Sequence, residues 1–306
     1  MTTPSGLRGL WLPLITPFKD GAVDGASVKR LIRHYLALPV DGLILAATTG
    51  EGMTLEEDEV RRLIDLARDE VGGGSNGGAR LPLFVGLSGS DTAKGVKALR
   101  RTADWPVDGY LITCPYYSRP SQQGLALHFG ALAEATDRPI AIYNIPYRTG
   151  VNMANDTLLE LARRDTIVGV KDCSADAGQS FDLIRRRPAG FSVMTGEDAF
   201  YYTALTLGAD GGILASAHVE TATFARVRDR LAANDLPAAL ESWREIADLT
   251  RLLFAEPNPA PVKHWLWREG LIDSPELRLP MTPVTAGLAA RIDQETGRRR
   301  KASSRH

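Results

Sequence analysis

Short apolar runs alternate with stretches of helical periodicity along most of the chain. The runs fall at 10–15, 42–46, 83–86, 109–112, 140–143, 167–171, 191–194 and 211–214, and their brevity and β-branched content predict buried strands. Between them, Val28, Leu31, Ile32, Tyr35 and Leu36, then Val60, Leu63, Ile64 and Ala67, and later Leu125, Phe129 and Leu132 recur at the spacing of one helix face. Thr54 followed by Glu57 predicts a capping box at the second helix, and Ser121 an N-cap before Leu125.

Eight strand-helix units predict an α/β fold, a (β/α)8 TIM barrel, which typically needs about 250 residues. A doubly wound sheet is the competitor, but Ile15-Thr16-Pro17-Phe18 after the first strand has no glycine-rich dinucleotide turn. The barrel domain is expected over 1–231. A helical extension follows over 232–296, marked by Leu236, Leu240, Trp243, Ile246 and Leu253, with Pro261 in the first turn of a further helix through Trp265. Residues 297–306 are expected to form a basic flexible tail, and the glycine-rich run at 72–78 a flexible connection, because no Lys-Ser or Lys-Thr follows it.

Composition narrows the function. The chain's 306 residues carry 36 Lys+Arg against 37 Asp+Glu, a net charge of −1, so it lacks the basic field of a nucleic-acid or membrane-surface binder. No apolar run approaches the ~20 residues that span a bilayer. Two cysteines, Cys114 and Cys173, match neither a disulfide framework nor a paired-thiol zinc site, which points to a reducing compartment and a cytoplasmic location. The five histidines, 34, 128, 218, 264 and 306, show no ligand spacing, so no metal is expected. Of the basic residues only seven are lysines, at 19, 29, 94, 97, 171, 263 and 301.

In a parallel barrel the chemistry sits where the strands end. Lys171 ends the run Ile167-Val168-Gly169-Val170. Burial there would lower its pKa and give a neutral amine able to form a Schiff base; the alternative is a strand-end lysine snorkelling to solvent. Tyr117, Tyr143, Thr48 and Thr49 close other strands, and their hydroxyls can relay protons, although a buried tyrosine more often simply satisfies its hydroxyl. Arg148 follows the fifth strand, where its planar fork could hold a carboxylate or merely face solvent.

Taken together, Thr48-Thr49-Gly50-Glu51, Pro115-Tyr116-Tyr117, Tyr143-Asn144-Ile145-Pro146, Gly169-Val170-Lys171-Asp172 and Glu256-Pro257-Asn258-Pro259 through Lys263 resemble the dihydrodipicolinate synthase and N-acetylneuraminate lyase family of pyruvate-dependent class I aldolases. The resemblance implies that Lys171 forms the imine with pyruvate and that Tyr143 moves protons there. It implies further that Thr48 and Tyr117 complete a relay with Tyr117 reaching into a neighbouring subunit, that Thr49 holds the pyruvate carboxylate, and that Gly196 and Ile213 line the pocket. Arg148 occupies the place that binds the carboxylate of aspartate semialdehyde in the synthases. The expected partners are therefore pyruvate and an aldehyde in a homo-oligomer, dimer or tetramer, with no cofactor beyond the covalent imine.

The chain departs from the synthase pattern at Ala47, at Asp172-Cys173-Ser174-Ala175 and at Pro13, a strand position where proline predicts a bulge. Ala47 and Pro13 keep a second reading open, a catabolic aldolase or dehydratase of a 2-oxo-3-deoxy sugar acid. A third, a non-catalytic 2-oxo acid-binding paralogue, has no use for a nucleophilic lysine.

Overall fold

A computed structural model describes residues 7–72 and 81–303; the glycine-rich connection and the last tail residues lie outside them. The strands are β1 (Gly9–Pro13), β2 (Phe18–Lys19), β3 (Ala22–Val23), β4 (Gly42–Leu45), β5 (Leu83–Leu87), β6 (Gly109–Thr113), β7 (Ile140–Asn144), β8 (Ile167–Asp172), β9 (Ser192–Thr195) and β10 (Gly211–Ile213). β2 and β3 form a small antiparallel hairpin, and the other eight close a parallel barrel in the order β1-β10-β9-β8-β7-β6-β5-β4. Among the described residues no helix is long and apolar enough to cross a membrane.

Two apolar layers hold the barrel. Trp11, Ile44, Phe84, Leu111, Met194 and Ile213 fill its interior. Trp11 and Phe84 meet edge to face, with ring centroids 5.0 Å apart. Both rings need a glycine neighbour: a Cβ at Gly42 would lie 2.4 Å from the Trp11 indole, and one at Gly109 2.4 Å from the Phe84 ring. The outward faces, carrying Leu12, Leu43, Val85 and Ile112, pack against helix residues such as Val28, Leu63 and Phe129 in one continuous core.

Strict alternation along β8 would send Val168 and Lys171 to opposite faces. Instead, Ile140 and Ala141 of β7 face Ile167 and Gly169, leaving Val168 as an extra residue. This bulge resets the alternation, so Val168 joins the interior layer while Lys171, paired with Tyr143, also reaches the interior.

Four expectations change in detail. Thr54 closes a 3-10 turn (Gly52–Thr54), where its hydroxyl donates to the Glu51 carbonyl. The capping box with Glu57 therefore does not form, and the Glu59 carboxylate accepts from the Glu56 N–H instead. Ser121 does cap its helix, through the Gly124 N–H.

Pro13 needs no bulge. Odd residues of β1 turn their backbone groups toward β10, as the Gly9 N–H to Asp210 and Leu214 N–H to Trp11 bonds show, and that pairing ends at Trp11 with Ile213. The missing donor faces a place where the ladder has already stopped, while pairing with β4 continues to Pro13 and Ile44.

The basic tail is largely helix, running from Ala286 to Ser303. Arg299 is drawn in by Glu220 at 2.8 Å and Glu295 at 2.7 Å, so the positive run satisfies acidic neighbours rather than fraying. Finally, the extension shares the barrel's outer core through Ile246, Leu253, Trp265 and Leu288, so the division near residue 231 separates stretches of chain, not cores.

The extension also supplies a buried ion pair. Lys263, on the helix Ala260–Arg268, is fully buried and its Nζ lies 2.5 Å from Oε1 of Glu51. It donates as well to the Glu276 carbonyl at 2.8 Å and sits 4.3 Å from the Phe18 ring centroid. Burial pulls its pKa down to about 8 against the pull of Glu51. The second Glu51 oxygen accepts the Arg278 N–H, so both oxygens of this side chain moor the turn after β4 to the extension.

Removing one member leaves a buried charge alone. Lys263→Ala is expected to lower stability by about 3–5 kcal/mol, measured as a denaturant midpoint, and Lys263→Met combined with Glu51→Gln is expected to lose less. A loss below about 1 kcal/mol in the single variant would show that the pair holds nothing.

Candidate active site

The site gathers at the C-terminal mouth of the barrel, where β7, β8 and β9 end side by side. Lys171 is 5% exposed, and its Nζ lies 4.3 Å from the centroid of the Tyr143 ring. Burial lowers its pKa and Arg148 pushes the same way, while Cys173, Asp198 and Glu197 oppose them. The net direction favours the neutral amine, the form that attacks a carbonyl.

Space for this side chain comes from Gly196. A Cβ there would stand 2.4 Å from Cε of Lys171, 2.8 Å from its Cγ and 2.4 Å from the Cys173 Sγ. The Gly196 N–H donates to the Asp172 carbonyl, which fixes the glycine against the lysine's own strand. Ile213, fully buried in β10, belongs to the same interior layer.

Tyr143 is also buried, and desolvation raises its pKa well above the ordinary value. The half-buried Thr48 hydroxyl beside its phenol partly counters the rise. Phenol and hydroxyl together make a two-member proton path beside the amine. Thr49 is buried and accepts a hydrogen bond from the Asn258 amide at 2.9 Å, which leaves its own hydroxyl hydrogen free to donate.

The loop carrying these threonines is packed backbone on backbone. Ala46 takes a left-handed conformation at φ 52°. A Cβ on Gly52 would lie 1.8 Å from the Ala46 carbonyl oxygen, and one on Gly86 2.7 Å from it, so both positions require glycine.

Arg148 follows in the short helix Pro146–Thr149 and is exposed at the mouth, with its guanidinium 5.9 Å from the Tyr147 ring centroid. Tyr117 stands apart from the cluster. It is 94% exposed, holds φ at 70° and is anchored by its N–H to the Thr149 carbonyl. Within one chain the structure therefore brings together Lys171, Tyr143, Thr48, Gly196 and Ile213, sets Arg148 at the rim, and leaves Tyr117 in solvent.

Several residues at the site were not singled out from sequence. Asp198 is buried, accepts from both the N–H and hydroxyl of Ser216 at 2.6 Å, and is pushed up to about 6 by burial. It ties the loop after β9 to the one after β10. Cys173 and Glu197 flank Lys171 electrostatically, and Tyr147 adjoins Glu197. The available signal was position alone: each lies one to three residues past a strand end.

Comparison with known proteins places this geometry. The Dihydrodipicolinate synthetase family matches residues 6–294. The chain is 44% identical over 290 residues to 4-hydroxy-tetrahydrodipicolinate synthase 2 of Clostridium acetobutylicum, covering 94% of this chain and 99% of that protein. It is 38% identical to the 4-hydroxy-tetrahydrodipicolinate synthase of Phocaeicola vulgatus, over 91% and 92% of the two chains. The solved dihydrodipicolinate synthase of Aquifex aeolicus superposes with a TM-score of 0.90 at 31% identity, over 96% of this chain and 98% of that one.

The space left by Gly196 yields a direct check. Gly196→Ala should fold, because the position is at the mouth rather than in the helix-facing core, but it displaces Cε of Lys171 and is expected to cut turnover about 100-fold or more. Circular dichroism and initial rates read the two effects; full activity in a folded variant would contradict the assignment.

Proposed function

Because the chain belongs to the Dihydrodipicolinate synthetase family, we propose that it is a lyase that condenses pyruvate with aspartate semialdehyde to give 4-hydroxy-tetrahydrodipicolinate. The observation that carries this reading is the desolvated Lys171 amine held against Tyr143. The names of its relatives and the arginine at position 148 support the choice of aldehyde.

The neutral amine of Lys171 attacks the pyruvate carbonyl carbon, and the resulting carbinolamine loses water to give an imine. Tyr143, whose raised pKa keeps the phenol protonated, donates the proton that lets hydroxide leave as water. The phenolate so formed takes a proton from the methyl carbon of the imine, giving an enamine. Thr48 returns or receives the proton at the phenol oxygen. The enamine carbon then bonds to the aldehyde carbon of the second substrate, whose oxygen is protonated through the same pair; the substrate's own amine, in its neutral form, adds to the imine carbon and expels the Lys171 amine, which closes the ring and frees the enzyme.

Thr49 donates its free hydroxyl hydrogen to the pyruvate carboxylate, and its orientation is set by Asn258. Arg148 offers two parallel N–H donors to the carboxylate of the aldehyde at the rim. The iminium itself serves as the electron sink, so the chemistry calls for no cofactor. Tyr117, held at φ 70° and projected into solvent, supports a homo-oligomer of at least two subunits in which it enters the site of a second copy.

Arg148→Ala separates the two half-reactions. The variant is expected to exchange the methyl protons of pyruvate with deuterium oxide at close to the wild-type rate, read by proton NMR. Turnover with aspartate semialdehyde should fall about 100-fold or more, the cost of one lost charge-assisted bidentate contact. Unchanged turnover would remove Arg148 as the residue that holds the carboxylate of the aldehyde; wild-type protein that exchanges pyruvate protons but does not turn over aspartate semialdehyde would return the sugar-acid reading.

A further inference from the structure

Arg148 has no polar contact of its own to aim it. Among the described residues its guanidinium makes no hydrogen bond or ion pair, and the Tyr147 ring centroid lies 5.9 Å away. Its direction is therefore set by the backbone that carries it, the four-residue helix Pro146–Thr149, which is too short to hold itself together in water. The chain on either side has to fix it. At its start the helix leaves β7, and at its close Gly150, at φ 77°, turns the chain into the segment 151–155.

That segment is held by three amide side chains, each from a different barrel unit. Asn144, the last residue of β7 and fully buried, donates to the Asn152 side-chain oxygen at 2.9 Å and accepts the Met153 N–H at 3.1 Å. Gln122, first in the helix Gln122–Ala133, donates to the Asn152 carbonyl at 2.8 Å and accepts the Ala154 N–H at 2.9 Å. Gln179, in the helix Ala177–Arg186, accepts from the Asn152 amide at 2.8 Å and donates to the Met153 carbonyl at 3.1 Å. Gln122 follows the turn that carries Tyr117, Asn144 follows Tyr143, and Gln179 follows the loop after Lys171. Asn144 also joins β7 to β8, since its backbone carbonyl accepts the Cys173 N–H at 2.8 Å. All three side chains are neutral, so they satisfy backbone groups without adding a charge that would hold Lys171 as ammonium.

We propose that Gln122, Asn144 and Gln179 are positioning residues for the second substrate: they fix Arg148 relative to Lys171 and so set how the carboxylate of the aldehyde is recognised, without touching it. This rests on the lyase reading above, in which Arg148 holds that carboxylate.

Gln122→Met removes the contacts of one amide at nearly constant side-chain length and leaves Asn144 and the β7–β8 ladder intact. In the full-length protein it is expected to raise KM for aspartate semialdehyde about tenfold, while pyruvate proton exchange, which needs only Lys171, Tyr143 and Thr48, stays within about threefold of wild type. A merely structural role would lower both together. Gln122→Glu keeps the acceptor for Ala154 and should recover part of the loss; Gln179→Met, on another helix, should repeat the split even if Gln122→Met does not fold. Added to Arg148→Ala, Gln122→Met should cost almost nothing further, because the residue it positions has gone. Additive losses in the double variant, equal losses of exchange and condensation, or an unchanged KM would each overturn the proposal. Arg148→Ala without effect would defeat the carboxylate assignment of Arg148 itself, whereas a loss in Arg148→Ala and none in Gln122→Met or Gln179→Met would defeat the positioning role alone.

Discussion

The free energy of holding an amine in a dry barrel governs this structure. Lysine is hydrated strongly, and removing its water without a paired anion favours the neutral form. Here Lys171 is buried with an aromatic ring, a thiol and a glycine as immediate surroundings, and burial outweighs the pull of Asp198 and Glu197 toward the charged form. The extra residue at Val168 turns the lysine inward, and the absent side chain at Gly196 gives it room. A single residue fewer in β8, or a methyl at 196, would defeat the placement.

The second lysine shows the opposite solution to the same problem. Lys263 is more deeply buried than Lys171, yet it has Glu51 at 2.5 Å and a backbone carbonyl at 2.8 Å. Its partner set suits a charged, structural ammonium, and it secures the turn that carries Thr48 and Thr49. Asn258 from the same extension orients Thr49 directly. The helices after the barrel are thus part of how the mouth is shaped, and the shared outer core is the reason they can be.

Much of this was legible in the chain. The eight apolar runs each became a barrel strand within one or two residues of its expected ends, because buried parallel strands have to be continuously apolar. Lys171 stood out for ending one of them. What stayed hidden depended on contacts distant in sequence. The burial of Lys263 comes from Glu51, more than two hundred residues away. The arginine-rich end reaches back through Arg299 to Glu220, far away in sequence. Thr54 fits the pattern of a cap but is used by the preceding turn, a choice that local spacing does not reveal. Pro13 looked disruptive only until the end of the β1–β10 ladder was known. That same observation removes the reason to expect a bulge there, and with it one of the two motives for a sugar-acid aldolase.

The account turns on a neutral, reactive amine at position 171. Incubating the protein with pyruvate and sodium borohydride, then mapping the product by peptide mass spectrometry, measures this most directly. The prediction is a reduced three-carbon adduct on the peptide containing Lys171 and none on Lys263, abolished by Lys171→Arg. A folded protein that gives no adduct, or that carries it on another lysine, would contradict the account.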